Sequence, residues 1–263
     1  MTCNGLCRQA AALLGAATIV GASALAEPDT GAAGSCDRAH FRLVIDVGHT
    51  AITYGATSAN GLPEFQFNLS LAQVVLQHLR DAGFFQADAI VEQGRENLAE
   101  RARRLNAARP DLILSLHHDA VQDRYLKSWV VDGKTQDYSD DFSGYSIFVS
   151  EENPRFDDSK KFAILLGAEL RGRDYKFTMH HTEKIPGENR PVLDAGVGVF
   201  RYDNLVVLHE AKAPAVLLEA AVIVNRDDER RARDPDYQAG IAESVVAALD
   251  KYCAAIKPGA HRG

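Results

Sequence analysis

The chain has 263 residues and a formal net charge of −7 at pH 7. Its length suits one large domain better than two small ones. Lys and Arg do not gather into a basic stripe, which argues against a nucleic-acid-binding protein. The acidic balance also gives no electrostatic attraction to an anionic surface.

The N-terminus has the pattern of a secretory signal peptide. Arg8 lies in a polar start, the apolar run AALLGAATIVGASALA follows, and the run ends on the small residues Ala24 and Ala26. This pattern predicts a signal peptide over 1–26, and hence a periplasmic or secreted protein. An uncleaved anchor is the alternative. The run is short and rich in Ala and Gly, so we expect no stable membrane insertion after cleavage.

A polar leader over 27–40 precedes the first folded element. The apolar, β-branched stretch FRLVID (41–46) predicts a buried strand that runs into a glycine turn. Pro63 and Glu64 suit the first turn of a helix. Apolar residues recur at helical spacing after them, and Gly83 ends the helix.

Strands and amphipathic helices then alternate along the chain. The further predicted strands are ADAIVEQG (87–94), DLILSLHH (111–118), GYSIFVS (144–150) and one within APAVLLEAAVIVN (213–225). The further predicted helices are RENLAERARRLNAARP (95–110), DSKKFAILLGAELRG (158–172) and YQAGIAESVVAALDKYC (237–253), and 179–200 is expected to be irregular. The alternation predicts a single α/β domain over 41–257, with a mostly parallel, twisted sheet flanked by helices on both faces.

Two cysteines remain after the predicted cleavage. Cys3 and Cys7 leave with the signal peptide, whereas Cys36 and Cys253 lie near the two ends of the domain. Export exposes them to an oxidising compartment, and chain termini are often close in space. We expect a disulfide between them, with two separate thiols as the alternative.

Four side chains with metal or acid–base chemistry stand where functional groups collect in a parallel sheet, beyond the carboxyl ends of the strands. His49, His117 and Glu219 each end or follow a predicted strand, and Glu64 opens the helix after His49. Two histidines and a carboxylate are a known ligand set for catalytic zinc, and a second carboxylate would serve as general base. On spacing alone, the alternative is that they are ordinary polar loop residues.

Four blocks carry a family likeness: LVIDVGHT, GLPEFQFNLSLA, EQGRENLAERARRLNAARPDLILSLHHDA and PAVLLEAAVIVNRDDE. In order, they resemble the patterns IDPGHGG, E-xxx-NL, L-x-x-R-xxx-AN before S-I-H-A-N/D, and PAVLVE-xGFxSN. These patterns belong to the zinc-dependent N-acetylmuramoyl-L-alanine amidases of bacterial cell walls. The likeness covers 41–229, with the helix 236–252 behind it.

The resemblance implies a role for each matched residue. His49, Glu64 and His117 match the zinc ligands, which implies one zinc ion per chain, and Glu219 matches the catalytic carboxylate. Four further residues match the family: Asn68 and Asn225 at polar positions, and Arg101 and Asn106 in the helix block. The first two are expected to support the site or face the substrate. For the last two, a surface salt bridge and the polar face of a helix explain the match equally well.

The adjacent histidines of LSLHHDA compete for one ligand position. In the family the residue after the ligand is small, so His118 is the departure. The strand alternation agrees, because Ser115 and His117 share one face while His118 shares the other with Leu114 and Leu116. His117 is therefore the predicted ligand. His118 is left as a supporting or substrate-facing group, or as a neutral packed histidine.

The activity implied is hydrolysis of the amide bond between N-acetylmuramic acid and L-alanine in peptidoglycan, by a metal-activated water with a Glu general base. The partner implied is peptidoglycan or its fragments, and a protein activator is left open. Two alternatives are a zinc peptidase acting on stem peptides and a catalytically inactive wall-binding module. Product analysis separates the first from an amidase, and metal analysis separates the second.

The segment 121–143 is longer than the usual link of the family at this point. It is polar, ends in an acidic cluster and carries the single tryptophan, Trp129. A flap near the metal and a solvated surface loop are the two interpretations. His180, His181 and His209 are expected in loops or at the surface, since no carboxylate stands at ligand spacing from them.

Overall fold

The computed structural model describes residues 36–255; the predicted signal peptide and most of the polar leader lie outside the described residues. The described strands are β1 (Leu43–Val47), β2 (Asp88–Val91), β3 (Leu112–Asp119), β4 (Lys127–Val131), β5 (Lys134–Tyr138), β6 (Ser146–Val149), β7 (Val192–Asp194), β8 (Val199–Arg201) and β9 (Ala215–Val222). The described helices are α1 (Glu64–Asp81), α2 (Leu98–Ala107), α3 (Phe156–Gly172), α4 (Val206–Glu210), α5 (Arg226–Ala232) and α6 (Pro235–Ala255).

One mixed sheet has the strand order β2-β1-β3-β9-β6-β8-β7. β1 pairs in parallel with β2 and β3, β3 pairs in parallel with β9, and β6 pairs in parallel with β8. β6 is antiparallel to β9, and β7 is antiparallel to β8. The prediction of an α/β domain with a mostly parallel sheet is confirmed.

The sheet is buried on both faces, as its nearly continuous apolar strands require. Along β1, Leu43, Ile45 and Val47 belong to one apolar cluster, whereas Val44 belongs to a second. Side chains of α1, α3 and α6 complete the first cluster, and side chains of α2 and α4 complete the second. The helices therefore flank the sheet on both faces, as predicted.

A disulfide joins Cys36 to Cys253, with 4.9 Å between their Cα atoms. It ties the segment before β1 to the last turns of α6, across a sequence separation of 217 residues. The predicted pairing is confirmed. In the chain-entropy description, closing a loop of this length stabilises the folded state by about 5 kcal/mol.

The inserted segment 121–143 contains a β-hairpin that the sequence analysis missed. β4 and β5 pair in an antiparallel ladder around Asp132 and Gly133, whose φ angles are 50° and 72°. An Asp-Gly pair at positive φ is the usual signal for a two-residue hairpin turn. The indole Nε1 of Trp129 donates a hydrogen bond of 2.7 Å to the carbonyl of Ala59, so the hairpin packs against the loop between β1 and α1.

Short elements account for the other differences from the sequence analysis. The stretch 179–200, expected to be irregular, contains a 3₁₀ turn at His180–Thr182, the strand β7 and the start of β8. The helices α4 and α5, of 5 and 7 residues, were not predicted either. Within residues 36–255, no helix is both long enough and apolar enough to cross a membrane.

Candidate metal centre

The topology brings His49, Glu64 and His117 to one edge of the sheet. β1 and β3 are parallel neighbours, so their carboxyl ends meet there. His49 lies two residues beyond β1, and His117 is near the end of β3. Glu64 is the first residue of α1, which the loop after β1 returns to the same edge.

The ligand atoms of these three residues lie within 4.8 Å of one another. Each carboxylate oxygen of Glu64 faces one imidazole. Oε2 is 3.0 Å from His49 Nε2, and Oε1 is 3.0 Å from His117 Nδ1. Two imidazole nitrogens and a carboxylate in this arrangement match the donor set of a catalytic zinc site, which leaves one coordination position open.

Two glycines keep the space around these side chains clear. A Cβ atom placed on Gly48 would come within 2.4 Å of the His117 ring, and one on Gly55 within 2.3 Å of Glu64 Oε2 and 2.4 Å of the His49 ring. Gly55 also has a φ of 77°, in the left-handed region. Larger residues at these positions would displace the donor atoms. The two glycines therefore preserve the arrangement of donors that a bound cation needs.

A hydrogen-bonded chain fixes the Glu64 carboxylate from the side of α1. Asn68, one turn further along the helix, donates 3.0 Å to Glu64 Oε1 and accepts 2.8 Å from His118 Nδ1. The backbone N–H of His118 donates to the same Glu64 oxygen at 3.2 Å. His118 is only 2% exposed and its ring lies 5.5 Å from that of Phe67. His118 therefore packs behind the cluster.

His49 has an unusual backbone conformation, with a φ of 63°. Arg101 holds it there, because its Nη2 donates 2.6 Å to the His49 carbonyl. Arg101 is only 1% exposed, so the surface salt bridge considered for it from the sequence is wrong. Its guanidinium also lies 3.4 Å from Glu96, whose other oxygen is 3.6 Å from His49 Nδ1. Sequence reasoning missed Glu96 altogether.

The charges of the cluster depend on one another. Burial would raise the pKa of Glu64, but the hydrogen bonds with His117 and His49 hold that pKa well below its usual range. Burial opposes protonation of His49, yet Glu64 and Glu96 raise its pKa to about 9. Without a metal ion, these two carboxylates thus favour a positive charge on the His49 imidazole, and a dication would replace that proton.

Glu219 stands beside the cluster, on β9 directly opposite His117 of β3. The residue keeps some accessible surface, but its Oε2 is enclosed and makes no hydrogen bond to the chain. Burial raises the pKa of Glu219 well above its usual range, and the charges of Asp119 and Glu64 raise it further. An enclosed carboxylate without a partner is costly unless a cation or a proton compensates it.

The other two matched polar residues make backbone contacts. Asn225 caps α5, since its Oδ1 accepts from the N–H groups of Asp227 and Asp228, and its Nδ2 donates to the Phe142 carbonyl. Asn106 donates 2.9 Å to the Glu210 carbonyl and so ties α2 to the end of α4. In both cases these hydrogen bonds join neighbouring elements of the fold.

A second group of potential ligands lies at the same end of β3. Asp119, His180 and His181 place their ligand atoms within 4.8 Å of one another. The histidine pair lies in a short 3₁₀ turn of a loop, as expected, but not at the surface, because His180 is 3% and His181 8% exposed. His209 lies on α4 and is half-buried, with a side chain 25% exposed, so it is neither in a loop nor fully at the surface. The carboxylate partner was missed because 60 residues of sequence separate it from the histidines.

Comparison with known proteins agrees with this architecture. The sequence profile of the family described as N-acetylmuramoyl-L-alanine amidase matches residues 43–251. A putative N-acetylmuramoyl-L-alanine amidase of Buchnera aphidicola is 23% identical over 223 residues, which cover 80% of this chain and 95% of that protein.

Solved structures share the fold. The N-acetylmuramyl-L-alanine amidase Ami1 from Mycobacterium smegmatis aligns with a TM-score of 0.61 at 18% identity, covering 83% of this chain and 99% of that one. The catalytic domain of CwlV, an N-acetylmuramoyl-L-alanine amidase from Paenibacillus polymyxa, aligns with a TM-score of 0.58 at 21% identity, covering 81% and 97%.

Proposed function

Because the chain belongs to the N-acetylmuramoyl-L-alanine amidase family and is thus an enzyme of peptidoglycan amidase type, we propose that His49, Glu64 and His117 hold a catalytic zinc ion and that Glu219 is its general base. The bond cleaved joins the lactyl group of N-acetylmuramic acid to the L-alanine of the stem peptide. The observation that carries this proposal is the convergence of the three donor side chains within 4.8 Å at one edge of the sheet.

The donor set supports zinc. Two imidazoles and one carboxylate, each already oriented by the chain, suit an ion that prefers nitrogen and oxygen donors in a four-coordinate site. When bound in such a site, zinc lowers the pKa of a coordinated water to about 7 and polarises the scissile carbonyl. Asn68, His118 and Arg101 would hold the ligands in place. Loss of a partner of this kind typically costs about 10–100-fold in metal affinity or activity.

The position of Glu219 supports a role in proton transfer. It faces His117 across the β3–β9 ladder, and its Oε2 makes no hydrogen bond that would occupy it. As general base it would take the proton of the attacking water and deliver it to the nitrogen of the leaving L-alanine. The nucleophile is water, so the reaction requires no covalent intermediate with a side chain.

The setting of the enzyme is extracytoplasmic, as its cell-wall family indicates. We place it in the periplasm or outside the cell, after removal of residues 1–26 and with 27–40 as leader to the catalytic domain 41–257. The disulfide between Cys36 and Cys253 supports an oxidising compartment. A protein activator stays a prediction.

A paired measurement on Glu219→Gln tests the proposal. We expect the variant to keep the zinc of this site and to lose roughly 10²–10⁴-fold in turnover, the usual range for an acid–base group. Glu152→Gln, at a side chain 65% exposed, is the matched control and should keep both. Lost zinc, or full zinc with a near-normal rate, would contradict the role given to Glu219.

Product analysis tests the bond. Purified peptidoglycan digested by the enzyme should release new L-alanine amino termini without shortening of the stem peptides, and a chelator should abolish the release. Shortened stem peptides would indicate a peptidase instead. His117→Ala and Glu64→Ala should each lose the zinc, whereas His118→Ala should keep it. The reverse result for the histidine pair would overturn the assignment of His117.

A further inference from the structure

The second ligand group is built around Asp119, the last residue of β3. The pairing of β3 with β9 shifts register between His117 and Asp119, which redirects the end of the strand. The backbone N–H of Ala120 donates 2.8 Å to Asp119 Oδ1. The other oxygen, Oδ2, is left to face the two histidines of the 3₁₀ turn.

Both imidazoles present the same nitrogen to this oxygen. His181 Nε2 is 2.8 Å and His180 Nε2 is 3.3 Å from Asp119 Oδ2. Each ring is fixed from behind through its Nδ1, which lies 3.0 Å from Glu188 Oε2 for His181 and 2.9 Å from Thr178 Oγ1 for His180. Hydrogen bonds to the far nitrogen orient metal-ligating histidines in this way.

One donor of the group is left unused by the chain. His180 Nε2 is enclosed and makes no hydrogen bond, although the side chain is only 2% exposed and the nitrogen points toward Asp119. The aromatic ring of Phe142 lies 5.2 Å from His180, and that of Phe148 lies 4.8 Å from His181. A buried nitrogen without a hydrogen bond is costly, and a cation shared with Asp119 would satisfy it.

We propose that Asp119, His180 and His181 bind a second divalent transition-metal ion, with zinc as the favoured ion. Two imidazole nitrogens and a carboxylate oxygen form a donor set that suits zinc. The site shares no residue with the His49, Glu64 and His117 cluster, although Asp119 lies only two residues after His117 on β3. With this site filled as well as the proposed catalytic site, each chain would bind two ions.

A network of charged side chains is the competing explanation. A proton on His181 could link Asp119 to Glu188, and these two carboxylates raise the pKa of His181 to about 9 against the effect of burial. That explanation satisfies His181 but leaves His180 Nε2 without a hydrogen bond. Metal binding differs from it because it uses both rings at once.

Zinc stoichiometry decides between the two explanations. The wild-type enzyme is stripped with a chelator, dialysed against micromolar zinc and then zinc-free buffer, and its metal content is measured by mass spectrometry. We expect two ions per chain for the wild type, one for His181→Gln and one for His49→Gln. His209→Gln should keep two.

The outcomes also separate this inference from the proposed catalytic site. One ion in the wild type that His181→Gln retains and His49→Gln loses would overturn the second site. One ion in the wild type that His49→Gln retains and His181→Gln loses would support the second site and overturn the first. If His181→Gln does not fold, anomalous diffraction from wild-type crystals at the zinc edge decides, because a peak between Asp119 and the two histidines is required.

Discussion

His118, which is buried behind the cluster of His49, Glu64 and His117, should make the metal-free protein less stable in acid. Burial lowers the pKa of His118 to about 4, against an ordinary value of 6.5. Between these values the unfolded chain takes up a proton at this residue, whereas the folded chain does not. The contribution of neutral His118 to the free energy of unfolding is therefore fully present above pH 6.5 and is lost as the pH falls toward 4.

The size of the effect follows from the difference between the two pKa values. At about 1.4 kcal/mol for each unit of pKa difference, His118 accounts for roughly 3 kcal/mol of unfolding free energy over this window. A typical domain has a total stability of about 5–15 kcal/mol, so one residue removes a large share of it. Other groups titrate in the same range, and only a comparison with a variant isolates this contribution.

The assay is denaturant unfolding of chelated protein at a series of pH values between 4 and 7.5. His118→Gln keeps a polar side chain opposite Asn68 but cannot take up a proton. We expect the variant to be less stable than wild type at neutral pH, and the gap to narrow by roughly 3 kcal/mol toward pH 4. His40→Gln, at a side chain 81% exposed, is the control for losing one imidazole.

A constant gap between wild type and His118→Gln across the window would refute this reasoning. It would mean that His118 protonates as readily in the folded chain as in the unfolded one. Its enclosure against Phe67 and its hydrogen bond to Asn68 would then not exclude the charged form. Titration of the imidazole C–H signals by NMR would give the same answer independently.

Three further perturbations test the surroundings of the site. Arg101→Met should weaken zinc affinity by about 10–100-fold, since the His49 carbonyl loses its partner; equilibrium dialysis measures this, and unchanged affinity would contradict it. Cys36→Ser should lower the unfolding free energy by up to about 5 kcal/mol. The wild-type mature protein, unfolded without reduction, should show no free thiol. Deleting the hairpin within 121–143 should change turnover several-fold in either direction, whereas unchanged turnover with intact stability would favour a passive loop.

The long helices and strands could be predicted from the sequence because their apolar residues form a pattern long enough to recognise. The helix from Glu64 and the strand 111–118 have such patterns, and the structure contains both as α1 and β3. The short elements lack that signal. The helices α4 and α5 span 5 and 7 residues, too few for a period to register. The hairpin could have been predicted, since Asp132 and Gly133 are a strong turn signal between β-branched residues.

The cluster of His49, Glu64 and His117 could be predicted from the sequence because parallel strands end at a common edge. His49 follows β1, His117 lies near the end of the adjacent β3, and the next helix returns Glu64 to them. The surroundings were not accessible, since Arg101 and Glu96 approach His49 only through the packing of α2 and the loop before it. Asp119 could have been inferred by strand alternation from Ser115 and His117, but nothing local connects it with a histidine pair so far along the chain.

One carboxylate is influenced by charges from both ligand groups. Glu219 is close enough to Glu64 and to Asp119 for both charges to raise its pKa. Neutralising either of those carboxylates with a cation removes one of the repulsions that oppose its ionised form. A cation bound at either of the two proposed groups would therefore favour the ionised form of Glu219, which is the form that a general base requires.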